Sequence, residues 1–175
     1  MNHVDSNLDR SQSPEMITSL NWRADAFEDL GCGSLYSILA ARIAVFVVEQ
    51  NCPYQDADGL DADSLHVQAS DAQGRLWAYA RVTPPGSRFK EPSIGRVLTT
   101  SRARGCGLGH ELMRWTLSEI HRRHGAVAIR ISAQRHLEAF YQAHGFTTTS
   151  APYDEDGIEH VEMLRPPAPE IASEQ

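Results

Sequence analysis

Ser93-Ile94-Gly95-Arg96-Val97-Leu98-Thr99-Thr100 runs, a short step later, into Arg104-Gly105-Cys106-Gly107-Leu108-Gly109-His110-Glu111-Leu112. The first segment has the composition of a strand. In the second and beyond it, Leu108, Leu112 and Trp115 recur at helical spacing, with Met113, Leu117 and Ile120 in a stripe beside them. A glycine-rich turn therefore joins the end of a strand to the start of a helix. Glycines let backbone N–H groups approach a ligand closely, and the positive end of the helix dipole favours an anion there. The expectation is a cradle for phosphate or pyrophosphate. A Walker loop would need lysine at the turn, and a dinucleotide fingerprint would need G-x-G-x-x-G in place of G-x-G-x-G.

Arg104-x-x-Gly107-x-Gly109 resembles the acyl-CoA pyrophosphate loop of the GNAT superfamily of N-acyltransferases, Q/R-x-x-G-x-G/A. A second block agrees. Ala126-Val127-Ala128-Ile129-Arg130-Ile131-Ser132 reads as a strand, and Leu137, Phe140, Tyr141 and His144 share one helical face that Gly145 would cap. The same superfamily is similar here: strand, Asn-like residue, short helix, Tyr-x-x-x-Gly-Phe. Tyr141 falls on its tyrosine and Gln134 on its usual asparagine. Further upstream, Arg42-Ile43-Ala44-Val45-Phe46-Val47-Val48-Glu49-Gln50-Asn51-Cys52-Pro53-Tyr54-Gln55-Asp56-Ala57-Asp58 resembles the signature of the ElaA-type branch, as does Tyr153-Asp154-Glu155-Asp156-Gly157-Ile158-Glu159-His160. The resemblance spans roughly residues 19 to 165.

It implies an α/β (α+β) GNAT fold, a mixed and mostly antiparallel twisted sheet with helices on both faces. It also implies an acetyltransferase using acetyl-CoA, with main-chain groups at Val97, Leu98 and Thr99 on the pantetheine and thioester. Arg104 and the N–H groups of Gly105, Cys106, Gly107, Leu108, Gly109 and His110 would take the pyrophosphate, and Gln134 would touch the cofactor. Tyr141 would be the general acid for the departing thiolate, against the plainer role of a core aromatic.

The base is open. Some relatives carry a glutamate where this chain has Ile129. Glu49, ending the first helix, is one candidate, with a carboxylate paired to Arg42 as the alternative. His66, opening a strand, is another, against a hydrogen-bonded structural histidine, and His160 stands beside it.

Composition bounds the rest. The chain has 175 residues and a net charge of −7, which opposes general nucleic-acid binding and suits a cationic amine acceptor. No apolar run approaches the ~20 residues of a membrane span, so no membrane partner is expected. Residues 1–16 and 166–175 read as polar tails without a signal peptide, flanking one domain over 17–165. Cys32, Cys52 and Cys106 form no C-x-x-C pair, which argues against zinc or a disulfide framework and points to the cytoplasm. Asp56-x-Asp58-x-x-Asp61-x-Asp63 lacks the glycine and glutamate of an EF-hand and reads as a solvated acidic loop, not a metal site.

The elements read in order as a strand over 17–27, a helix over 34–48 and a long loop or short broken helix over 51–63. A hairpin of 65–69 with 75–82 follows, then the strand 93–99, the glycine turn and helix, a strand and short helix, and a hairpin of 146–150 with 158–165. Loops 47–64, 83–92 and 150–158 would build the acceptor pocket. Edge strands of the last hairpin could pair two chains into a homodimer. Two other readings stay open. One is an acyl-CoA-binding sensor without turnover. The other is an acyl-homoserine-lactone synthase, because Arg42-x-x-Val45-Phe46 and Glu49 resemble the N-terminal pattern of those enzymes.

Overall fold

The computed structural model describes residues 19–167. The tail expected at 1–16, and all but residues 166 and 167 of the one expected at 166–175, lie outside that range. Eight strands form one sheet: β1 (Asn21–Ala26), β2 (Leu65–Ser70), β3 (Leu76–Thr83), β4 (Ser93–Thr99), β5 (Ile129–Gln134), β6 (Thr147–Thr148), β7 (Tyr153–Glu155) and β8 (Ile158–Arg165). Their order is β1-β2-β3-β4-β5-β8-β6, with β7 also on β8. Every pairing is antiparallel except β4 with β5.

The sheet is two-sided because β3 alternates. Ala78, Ala80 and Val82 pack with Leu108, Leu112, Met113 and Ile120 of helix α2 (Leu108–His124). Tyr79 turns to the other face and packs with Leu98 and with Ile38 of helix α1 (Cys32–Arg42). The helices therefore cover both faces, as expected. Helix α3 (Glu138–Gln142) follows a 3-10 turn, and Gly145 at φ +83° closes it, with Phe146 N–H donating to the Tyr141 carbonyl at 3.3 Å.

Three differences from the sequence reading bear on the site. The helix expected over 34–48 ends where expected, but after Arg42 it is no longer α-helical: α1 passes into a π-helical segment, Ile43–Glu49. Taken together, Cys32–Glu49 is long and apolar enough by composition to cross a membrane, although it carries Arg42, fully buried and ion-paired. The last hairpin is also not a simple pair. Asp156-Gly157 joins β8 to an additional short strand, β7, while β6 is only Thr147–Thr148.

The third difference lies in the acidic loop, whose Asp56, Asp58 and Asp61 are held by arginines and not left free in solvent. Arg42 donates to Asp56 at 2.7 Å and Asp61 at 2.6 Å; Arg81 donates to Asp58 at 2.6 Å and Asp61 at 2.9 Å. Arg96 reaches Asp56 at 2.7 Å and lies over the Tyr54 ring. The two buried guanidiniums lose water, and the aspartates replace it. Removing one partner would strand buried charge, so Arg42→Met should cost about 3–5 kcal/mol of unfolding free energy, read by urea denaturation. A loss below about 1 kcal/mol would mean that the network carries little.

Acid should weaken the same region. Burial alone would raise the Asp58 and Asp61 carboxyls, but their arginine bonds outweigh it and hold both below the ordinary range. Burial lowers His66 from 6.5. In each case the unfolded chain binds protons that the folded chain refuses, so stability falls with pH, first below about 6.5 and again below about 4. Thermal unfolding measured from pH 8 to 3 checks this; a midpoint constant across that span contradicts it.

Candidate active site

The site begins where β4 and β5 part. They share a single parallel register pair, Ser93 with Arg130, and the Arg130 N–H donates to the Pro92 carbonyl at 3.2 Å. Beyond it β4 pairs with β3 alone. The cause is a bulge in β4. Tyr79 faces Leu98 while Arg81 faces Gly95, so β4 carries one extra residue and Arg96 takes φ +51°. Such a backbone costs on the order of 1–3 kcal/mol unless its surroundings hold it. Here Asp56, Asp58 and Tyr54 hold the Arg96 side chain. The buried network thus fixes the bend that opens the sheet.

Between the parted strands lies a cavity of about 440 Å³. Val97, Leu98, Thr99, Arg104, Gln134, Glu49 and Tyr141 all reach its wall, so the fold gathers residues far apart in the chain. Loops 47–64, 83–92 and 150–158 contribute Cys52, Arg88 and Asp156 among others. The end of the π-helical segment crosses to the opposite bank. Glu49 accepts two bonds from Arg104 at 2.5 and 2.8 Å, and Gln134 donates to Gln50 at 3.1 Å. Glu49 is therefore not Arg42's partner: Arg42 turns inward to Asp56 and Asp61, whereas Glu49 stands at the cavity. The Arg104 bond lowers the Glu49 carboxyl, which makes it a weaker proton acceptor in this conformation.

The glycine turn follows Arg104 just outside the cavity wall. Gly105 and Gly107 have φ +77° and +83°, and Gly107 caps α2. A Cβ at either would meet nothing within 4 Å, so the space beside both is open. Gly109 is already helical, and a Cβ there would touch the Phe140 ring at 3.6 Å, an ordinary contact. Among the described residues, the N–H groups of Gly105, Cys106, Gly107, Leu108 and Gly109 donate to no other group. That of His110 is taken by the Gly107 carbonyl at 3.0 Å. The cradle is therefore one donor shorter than expected, and it suits an anion through an unbroken run of free N–H groups at a helix start. The His110 ring instead meets His144, Nδ1 to Nε2, at 2.9 Å.

Tyr141 is buried against Phe140 and Phe146, with ring centroids at 5.0 and 6.0 Å. Its hydroxyl has no hydrogen-bond partner among the described residues. Burial pushes it up to about 12, so it carries its proton throughout the neutral range.

These features, an open β4/β5 fork with a glycine turn at its end, coincide with a family match. Residues 38–165 fit the model of the acetyltransferase (GNAT) domain. The chain belongs to the GNAT family. The GNAT chain is 42% identical to an acyl-CoA N-acyltransferase of Pseudomonas aeruginosa, whose crystal structure superposes with a TM-score of 0.79 over 84% of this chain and 99% of that one. ElaA of Escherichia coli is 38% identical over 83% of this chain and 96% of its own sequence, and its crystal structure superposes with a TM-score of 0.78. A CoA-dependent acyl-homoserine lactone synthase, BjaI, shares the fold, with a TM-score of 0.72 at 15% identity. By family the protein is an acyl-CoA N-acyltransferase, and its co-substrate is a CoA derivative.

His66 does not join the GNAT cavity. Its side chain is fully buried at the acidic loop, where Nε2–H donates to the Asp61 carbonyl at 3.0 Å and Nδ1 accepts from the Tyr79 hydroxyl at 2.8 Å. Both ring nitrogens are engaged, and burial disfavours the protonated ring. His160, by contrast, lines the cavity. The sequence reading passed over Glu155 and Ser132, which also line it. Glu155 falls in the run 153–160 that carries the family resemblance, but nothing in that run sets this carboxylate apart from its acidic neighbours.

Proposed function

We propose that the protein transfers an acetyl group from acetyl-CoA to a primary amine by direct attack. The run of free N–H groups at the glycine turn, next to a fork that leaves the β4 edge unpaired, supports this most strongly. The turn and Arg104 would receive the pyrophosphate. The pantetheine would lie along Val97, Leu98 and Thr99 as an added strand, with its thioester carbonyl held by a main-chain N–H. Gln134, bonded through its amide nitrogen to Gln50, keeps its carbonyl for the cofactor. Tyr141, protonated and unpartnered, would give its proton to the departing thiolate. Glu49 would keep Arg104 in place through its two hydrogen bonds.

The test is amine-dependent appearance of free CoA thiol, with the acetylated amine identified by mass. Transfer to an amine supports the reading. Tight binding of acetyl-CoA with no thiol released to any amine would support a sensor instead. A marked preference for long acyl chains would point toward lactone-synthase chemistry.

A further inference from the structure

The end of the cavity bordered by β5, β7 and β8 holds a second group of polar side chains. Ser132 of β5 donates its hydroxyl to Glu155 Oε2 at 2.8 Å and accepts from the Tyr153 hydroxyl at 2.6 Å. Arg88 donates to Glu155 Oε1 at 2.7 Å. His160 sits in the β8 position opposite Gln134, its ring stacked on Tyr153 at 6.2 Å between centroids. Its Nδ1 lies 2.8 Å from the Ile158 carbonyl. A carbonyl only accepts, so Nδ1 carries the hydrogen and the neutral ring keeps its lone pair on Nε2. That nitrogen has no partner among the described residues.

The charges of the wall have a sign. Arg81, Arg96 and Arg104 are each bonded to aspartate or glutamate, and Arg88 to Glu155. Asp156, also in the wall, has a carboxylate without a partner among the described residues. The uncompensated charge is therefore negative, and it stands next to Glu155 on the turn between β7 and β8. Cys52 Sγ–H donates to the Asp156 carbonyl at 3.4 Å and ties this turn to the loop after α1.

We infer that this corner is the acceptor subsite and that the acceptor is a cationic primary amine without an anionic group of its own. Glu155 and Asp156 hold the ammonium, and His160 Nε2 takes one of its protons. The inference rests on the acetyl-transfer reading and adds the substrate class and the base. The neutral amine then forms the N–C bond to the thioester carbonyl carbon, and the C–S bond breaks. The second proton leaves the nitrogen as the amide forms and balances the one that Tyr141 gives the thiolate. The products are the acetamide, CoA thiol and one proton released through His160. Glu155 and Tyr153 are the titratable groups facing His160 from β7; the Arg135–Glu159 pair flanks it, and His136 shares the cavity wall.

The test compares wild type with Glu155→Gln and His160→Gln, using spermidine, tyramine and lysinamide as cationic acceptors and glutamate as an anionic one. Acetyl-CoA affinity, measured by calorimetry, should stay within about twofold in both variants, which also shows that they fold. Glu155→Gln should raise the amine KM about tenfold or more, because a charged hydrogen bond to the ammonium is weakened. His160→Gln should lower kcat by roughly 100-fold and remove the acid limb of the kcat–pH profile. If Glu155→Gln loses acetyl-CoA affinity, Ser132→Ala replaces it: a several-fold KM rise supports the subsite, and an unchanged KM overturns it. Transfer that both variants leave within twofold of wild type overturns the subsite. So does acetyl-CoA binding with no transfer to any cationic amine, or transfer to glutamate as fast as to spermidine. Failure of wild type to bind acetyl-CoA overturns the acetyl-transfer reading itself.

Discussion

Gly107→Trp is expected to abolish acetyl-CoA binding while leaving a folded protein. Gly107 has φ +83°, a conformation that L side chains adopt at a cost of about 1–3 kcal/mol. No atom lies within 4 Å of the Cβ position, so the added ring meets no packed neighbour there. It would occupy the open space beside the free N–H groups of the turn. The binding loss therefore exceeds what backbone strain alone can cause, and Gly107→Ala separates the two. Alanine brings the strain without the bulk, and its affinity should fall far less than that of the tryptophan variant. Calorimetric titration of the three proteins checks the order. Equal affinities in wild type and Gly107→Trp would remove the pyrophosphate from this turn.

Tyr141→Phe is the second large effect. The phenyl ring keeps the contacts with Phe140 and Phe146, and no hydrogen-bond partner among the described residues loses its donor. Stability should change by less than about 1 kcal/mol. The proton offered to the thiolate is lost, so kcat should fall by roughly 100-fold or more with the KM for acetyl-CoA little changed. A kcat within threefold of wild type would return Tyr141 to the role of a core aromatic and leave the thiolate to be protonated by water.

The strand, glycine turn and helix were legible because each leaves a local mark. The β4 limits, Ser93–Thr99, come from the sequence pattern unchanged, and so does Gly145 at the end of α3. What stayed hidden depends on partners distant in the chain. Glu49 lies near Arg42 in sequence, yet its partner is Arg104, which only the β4 fork brings across. Asp56, Asp58 and Asp61 read as a solvated run because Arg81 and Arg96 reach them from β3 and β4, and no pattern within the loop announces that. The extra residue in β4 left one faint mark, Gly95 inside the strand, which is where bulges occur, but the positive φ falls on the next residue, Arg96. β7 is three residues long, too short for a period. Of the site, the cofactor half carried a motif with a role for each residue, whereas the Ser132–Glu155–His160 corner carried only the family resemblance over 153–160 and His160 as one candidate base. The corner exists only because β5 and β8 pair and β7 folds back on β8.

The measurement that bears most directly on this account is the thermal midpoint of the wild-type chain with and without acetyl-CoA. A ligand at about 100 times its Kd adds roughly 2.7 kcal/mol to native stability. For a chain of this size that corresponds to a rise of roughly 5–10 °C. Such a rise is expected, saturating with cofactor concentration and absent in Gly107→Trp. A midpoint unmoved by millimolar acetyl-CoA would contradict the acetyl-transfer reading.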